Sequence, residues 1–284
     1  MFYNISEDLL LVRKMLQISQ QDIADAIGVD KKTITRIENK ESIPSYSTLN
    51  KIYDYFFLKG IRINAIKEML YKEELGEKEI LLFHGTRTEI KGNISPYVSR
   101  DKIDFGKGFY CGDSSSQTIS FVKKIPESSY YVISFKDEGL KSIKFEVNQE
   151  WMLAVAYFRG SLQEYKDHPL IKKIVKKIEN SDYIIAPIAD NRMFRIIDQF
   201  IEGLITDEQC KHCLAATNLG YQYVFLNEKA VSKLTILERL FISSNEREES
   251  DILQTKDQQM SENKVKLAMI KYKREGKYIE EILK

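Results

Sequence analysis

The chain has 284 residues and a formal net charge of +1, from 43 Lys and Arg against 42 Asp and Glu. That length is long for one domain and short for three, the 43% of hydrophobic residues can fill a sizeable core, and the balanced charge excludes a uniformly basic or acidic protein, so any basic surface must be local. No run approaches the roughly 18 apolar residues of a membrane helix. Met1-Phe2-Tyr3-Asn4 lacks the charged and apolar regions of a signal peptide, and three cysteines do not make a disulfide framework. The expectation is reducing cytoplasm and no membrane partner.

Residues 5 to about 60 read as short packed helices. Ser6-Glu7-Asp8 opens the first, with Leu9, Leu10, Val12, Met15 and Leu16 at helical spacing. Ser19 caps a second over 20–27 that buries Ile23, Ala24 and Ile27, and Gly28 ends it. Val29 fills the turn, and Asp30 caps a third over 31–39 with Ile34 and Ile37 inward. Pro44 breaks the chain before a fourth helix at 46–57 with Leu49, Ile52 and Tyr53 inside.

Helix, Gly-Val turn, helix, then Glu38-Asn39 and Pro44 resembles the Cro/repressor family of helix-turn-helix domains. The resemblance implies that Lys31, Lys32, Thr33, Arg36 and Lys40 face the major groove of DNA. It also implies that Gln20 and Asn39 take phosphate and set register. The structural alternative for all of them is a solvated charged face. Such domains usually bind as dimers, so a homodimer on a two-fold operator is expected, with DNA binding wholly in residues 1–62. Residues 63–77, with Ala65, Ile66, Met69 and Leu70 at helical spacing, read as a helical linker with the boundary near Gly76.

From 78 to 242 the pattern changes. Ile80, Leu81, Leu82 and Phe83 form a short apolar run that ends on His84, Gly85 and Thr86. Gly85 removes a side chain where the run stops, so a ligand can reach the backbone there. Asp104-Phe105-Gly106-Lys107-Gly108-Phe109-Tyr110 sets two glycines around a lysine, a loop whose amides can approach a ligand closely. A helix over 114–124, strands at 130–135 and 143–147 and helices at 151–165 and 170–178 follow. A strand at 183–188 leads into Asp190-Asn191-Arg192 and a helix carrying Met193, Phe194, Ile196, Ile197 and Phe200. A helix at 210–217 and strands at 221–226 and 234–242 complete an α+β pattern. Residues 243–263 are polar and acidic and read as a linker. Residues 264–284, with Leu267, Ala268, Ile270, Ile279 and Ile282, read as an amphipathic helix able to dock on the body or on a partner.

His84-Gly85-Thr86 followed by Phe105-Gly106-Lys107-Gly108-Phe109-Tyr110 resembles the diphtheria-toxin-like, PARP-like branch of the ADP-ribosyltransferases, over roughly residues 78–242. The chain is also similar to a bacterial family of that fold with no settled function. The resemblance implies the split-sheet transferase fold, NAD as substrate and no metal. By it, His84 bonds a ribose hydroxyl, the Gly85 backbone and Thr118 hold the nicotinamide carboxamide, and Tyr110 and Phe121 stack on the ring. Arg100 lies by the adenosine side, and Thr86 and Gly108 belong to the NAD-contacting set. Arg192 joins that set from its place just after a strand, where ligands often sit. The catalytic set is His84, Tyr110 and Gln222, with Gln222 in the place of a glutamate.

That departure matters for chemistry. The transition state is oxocarbenium-like, and a neutral amide cannot oppose its charge. Hydrogen bonds to charged groups are worth about 1.5–3 kcal/mol against about 1 for neutral ones. Transfer is therefore weakened and chain elongation is disfavoured. Gln222→Glu is expected to leave the site folded, because the two side chains have nearly the same shape. The expected function is a DNA-binding, NAD-dependent mono-ADP-ribosyltransferase, a toxin or defence effector that represses its own promoter and meets an antitoxin or regulatory protein. The alternatives are a repressor whose second domain senses NAD without catalysis, and an NAD glycohydrolase.

Structural readings stand beside several of these residues. His84 can be a strand-end hydrogen bonder, and Phe121 can be core. Asp190 can cap the next helix and pair with Arg192 rather than meet phosphate. Cys210-Lys211-His212-Cys213 looks like half a zinc site, but no second cysteine pair exists, so both cysteines are expected in the core beside Leu214. His168, before Pro169, carries no signal.

Overall fold

The structure, a computed structural model, describes residues 3–125, 127–217 and 220–284. The chain divides into two compact units. One is Met1–Gly92 with Ser115–Lys136 and Thr235–Leu253; the other is Asn93–Ser114 with Asp137–Leu234 and Gln254–Lys284. Five helices come first: α1 (Ile5–Leu16), α2 (Gln20–Ile27), α3 (Lys31–Glu38), α4 (Tyr46–Leu58) and α5 (Ile63–Glu74). Then come β1 (Glu79–Thr86), β2 (Phe109–Gly112), α6 (Ser115–Val122), β3 (Ser129–Lys136), β4 (Ser142–Lys144), α7 (Gln149–Arg159), α8 (Pro169–Glu179) and β5 (Tyr183–Pro187). The remainder is α9 (Asn191–Ile201), α10 (Asp207–Ala215), β6 (Tyr221–Phe225), α11 (Glu228–Val231), β7 (Leu234–Leu240), α12 (Ser244–Lys271) and α13 (Ile279–Ile282).

In the first unit the helix ends are set by their own residues. Ser19 accepts from the Asp22 N–H while the Asp22 carboxylate accepts from the Ser19 N–H, a closed capping box on α2. Gly28, at φ +68, ends α2 in the left-handed region that a Cβ disfavours. Asp30 and Ser45 cap α3 and α4 by accepting from Lys32 and Thr48. Leu9, Val12, Ile23, Ile34, Ile37, Ile52 and Phe56 form the core, and Phe241 lies within it. The Phe241 ring stacks on Tyr53 at 5.1 Å and meets Tyr3 edge-on at 5.4 Å. An aromatic ring from beyond β7 thus fills part of the core of the helices in residues 1–62.

Helix α5 is not a free linker. Ile63 and Ile66 pack on the helical core, while Tyr71 and Leu75 pack on a second cluster of Leu81, Phe83, Ile119, Val122, Tyr130, Val132 and Leu240. Between the two, buried Lys67 holds Asp8 at 2.6 Å and Glu238 at 2.5 Å. The hydroxyls of Tyr53 and Tyr71 donate to the same two carboxylates. Two buried anions around one cation are tolerable because each is also hydrogen-bonded. In this unit β1 and β3 pair antiparallel, His84 opposite Tyr131, and β7 follows β3 in the order β1-β3-β7.

In the second unit β4 runs parallel to β5, which pairs antiparallel with β6, which pairs antiparallel with β2. Helices α7 to α10 cover this group through Trp151, Met152, Ile174, Ile197, Phe200 and Leu214. The helix expected over 151–165 stops at Arg159, because Gly160 turns left-handed at φ +103.

The linker expected at 243–263 is instead part of the 28-residue helix α12. Glu, Gln and Lys are good helix formers, so the composition that resembled a linker also favours a helix. Its inward positions from 254 on are Gln254, Gln258, Ser261, Val265 and Ala268, too small and polar to show an apolar stripe. The helix expected over 264–284 is broken, since α12 ends at Lys271 and Gly276 sits at φ +85 before α13. Leu267 and Ile270, expected on a docking face, point outward, and Ala268 is the buried one.

Candidate functional site

On α3, the side chains of Lys31, Lys32 and Arg36 are exposed and Thr33 is half-buried. The other expected DNA contacts have intramolecular partners. Gln20 donates to Glu38 at 2.6 Å and accepts from the Thr35 hydroxyl at 2.9 Å, bracing α2 on α3. Arg13 grips the same Glu38 at 2.8 Å. Asn39 donates to Glu41. Lys40, at φ +60 just past the helix, reaches Glu7 at 3.0 Å. The exposed cations of α3 are therefore Lys31 and Lys32 in its first turn and Arg36 in its last, on a helix braced by Gln20 and Glu38.

In the same unit, His84 is half-buried near the end of β1. A Cβ on Gly85 would lie 2.8 Å from Val122 and 3.2 Å from Thr118. The glycine thus admits α6 against β1, a packing reason for the bare backbone. Thr118 is buried on that face, whereas Phe121 is 51% exposed, so the core reading of Phe121 is excluded.

In the second unit, Arg100 is exposed. The Tyr110 hydroxyl donates to the Gly106 carbonyl at 2.7 Å and accepts from the Phe105 N–H at 3.1 Å, closing the glycine loop on itself. Burial, and then Asp104, push that hydroxyl well above the usual tyrosine range. A Cβ on Gly108 would stand 2.7 Å from Val224, so this glycine serves the approach of β6.

Gln222 lies on β6 and is buried, and its Nε2 donates to Asp104 at 2.7 Å and to the Pro187 carbonyl at 3.1 Å. Asp104, also buried, takes Arg159 through Nη2 at 2.5 Å and Nε at 2.8 Å, and the Ala189 N–H at 3.1 Å. This corrects the expectation that Gln222→Glu leaves the site folded. A carboxylate there would face a second carboxylate and a carbonyl, both acceptors, out of water. Sequence reasoning assigned no role to Asp104 or Arg159. Asp104 stands among other charged residues, Arg100, Asp101, Lys102 and Lys107, so its own stretch gives no signal that sets it apart.

The structure places the remaining candidates as follows. Asp190 caps α9 by accepting from Arg192 and Met193, and the Arg192 guanidinium donates to Ser261 of α12 at 3.2 Å. Cys210 and Cys213 are core, their thiols pushed up by burial and directed at the carbonyls of Ile196 and Val265. His212 stacks on Tyr272 at 3.6 Å. His168 caps α8. Among the described residues no three metal-ligating side chains come together, and no helix is long and apolar enough to cross a membrane.

A capped, turn-linked helix pair with a basic outer face, followed by an α+β region, defines a helix-turn-helix protein with an appended second module. A helix-turn-helix family matches residues 9–59. The chain belongs to the DUF3990 family, described as proteins of unknown function, which matches residues 80–236. Neither a curated protein nor a solved structure matches it.

Proposed function

We propose that this protein binds DNA through α3 and uses its DUF3990 region as an NAD-dependent mono-ADP-ribosyltransferase, regulating its own promoter. The DNA half is supported by the exposed Lys31, Lys32 and Arg36 on a helix braced by Gln20 and Glu38. The observation that carries the NAD half is a pair of motifs: His84-Gly85-Thr86 at the end of β1, and the Phe105 to Tyr110 loop closed on its own hydroxyl.

In the reaction, the bond between nicotinamide nitrogen and the ribose C1′ breaks and its electron pair leaves with nicotinamide. A nucleophile of the acceptor then bonds to C1′ and gives up its proton. His84 would hold a ribose hydroxyl, Thr118 the carboxamide and Arg100 the adenosine side, so that binding energy orients the leaving group. Phe121, exposed and aromatic, suits stacking on the ring. Gln222 Oε1 would accept from the nicotinamide ribose.

One observation favours a second reading, a sensor that binds NAD without cleaving it: the Gln222 amide is neutral and tied to Asp104 and Pro187. Calorimetry with NAD tests what both readings share. Binding by the wild type, lost in His84→Ala and Arg100→Ala with operator affinity retained, supports an NAD module. No heat with the wild type contradicts both.

A further inference from the structure

Gln222 Nε2 has two neighbours, an Asp104 oxygen and the Pro187 carbonyl, and both only accept. Turning the amide over would put Oε1 against both and lose two hydrogen bonds, so the network permits one orientation. Both N–H groups are then spent inward. Oε1 is what remains, and among the described residues nothing donates to it. Asp104 is itself held from three sides, by the Arg159 guanidinium, the Ala189 N–H and Gln222. Arg159 is clamped in turn over the Phe194 ring at 4.3 Å and donates to the Ala189 carbonyl. The Phe105 ring beside Asp104 stacks on Phe145 at 5.5 Å, which steadies the loop.

We propose that Asp104 is the positioning residue for Gln222, dictating that a neutral acceptor, Oε1, meets a donor on the ligand. The ligand group that fits is a sugar hydroxyl, and within the transferase reading on which this rests it is a hydroxyl of the nicotinamide ribose. The same contact explains the glutamine: with Asp104 fixed 2.7 Å away, a glutamate at 222 would set two buried carboxylates against each other.

The experiment compares the wild type, Asp104→Asn, Gln222→Glu and the double variant by thermal melting, NAD affinity and nicotinamide release. Gln222→Glu should melt lower than the wild type at pH 8 and recover toward pH 5, as the added carboxyl takes a proton. The loss should shrink in the Asp104→Asn background, because the opposing charge is gone. Asp104→Asn should keep NAD affinity within about threefold and slow nicotinamide release about tenfold or more, since a contact made best in the transition state is misdirected. Strictly additive melting losses would overturn the contact, and release at the wild-type rate in Asp104→Asn would overturn the positioning role. If the wild type itself releases no nicotinamide, the transferase reading fails and the role falls with it.

Discussion

Phe241 stacks on Tyr53 with 5.1 Å between ring centroids and 27° between ring planes, so a residue from beyond β7 completes the core of the helix-turn-helix bundle. Asn64 reinforces the contact by donating to the Phe241 carbonyl at 2.8 Å. Truncating a fully buried phenylalanine costs about 3–5 kcal/mol. Phe241→Ala should lower the melting temperature and weaken DNA binding on warming, although it lies far from α3 in the sequence. A fragment of residues 1–62 should show no cooperative melt of its own. Wild-type melting and operator binding in both would refute the shared core.

Lys67 should be less replaceable than an ordinary lysine. Removing it leaves Asp8 and Glu238 buried without their cation, a loss of about 3–5 kcal/mol for a broken buried pair. Lys67→Met should therefore unfold at distinctly lower denaturant, and equilibrium unfolding curves with an unchanged midpoint would exclude the cluster as a stabilising element.

Glu246 gives a pH prediction. The residue is half-buried, but its carboxyl end accepts from Asn64 at 2.8 Å and 3.1 Å, and desolvation pushes its pKa up to about 7. A carboxyl raised in the folded state favours folding while protonated. Stability from this group is thus greatest below its unfolded value, falls as pH rises toward 7 and is flat above. The penalty at pH 8 is of order 2 kcal/mol, once the half-exposure of the residue is allowed for. Glu246→Gln keeps an acceptor for Asn64 and should raise the melting temperature at pH 8 while changing little at pH 4. An equal shift at both pH values would point away from ionisation.

For DNA, Lys31→Ala and Arg36→Ala should each weaken operator binding by about 1–3 kcal/mol if they read bases. A phosphate contact would instead reduce the salt slope by about one. Gln20→Ala should lower stability as well as affinity, because its amide braces Glu38 and Thr35. Unchanged affinity and salt slope in Lys31→Ala and Arg36→Ala would remove α3 from the interface.

The parts of this fold that were legible in the sequence are those whose causes are local. Ser19 and Asp30 cap the helices that follow them, and Gly28 ends one, all within four residues of the groups they satisfy. The motif glycines were legible as special positions, and the structure adds a packing reason that was not: an added Cβ at Gly85 or Gly108 would meet Val122 or Val224. What was not legible depends on distant partners. Nothing near Gln222 announces that Asp104 and Pro187 fix its amide, and nothing near Phe241 announces the α1 to α4 core. The first part of helix α12 escaped because its inward positions there include Gln254, Gln258 and Ser261, so burial left no apolar rhythm to read before Val265.

The most direct test of the central claim, that this helix-turn-helix protein transfers ADP-ribose from NAD, is incubation of the purified full chain with labelled NAD and a cell extract. Free nicotinamide is measured, and label is scored separately on protein, nucleic acid and free ADP-ribose. The account predicts slow nicotinamide release with matching label on one class of macromolecule, abolished in His84→Ala. No nicotinamide release, with or without extract, or release unchanged in His84→Ala, would contradict it.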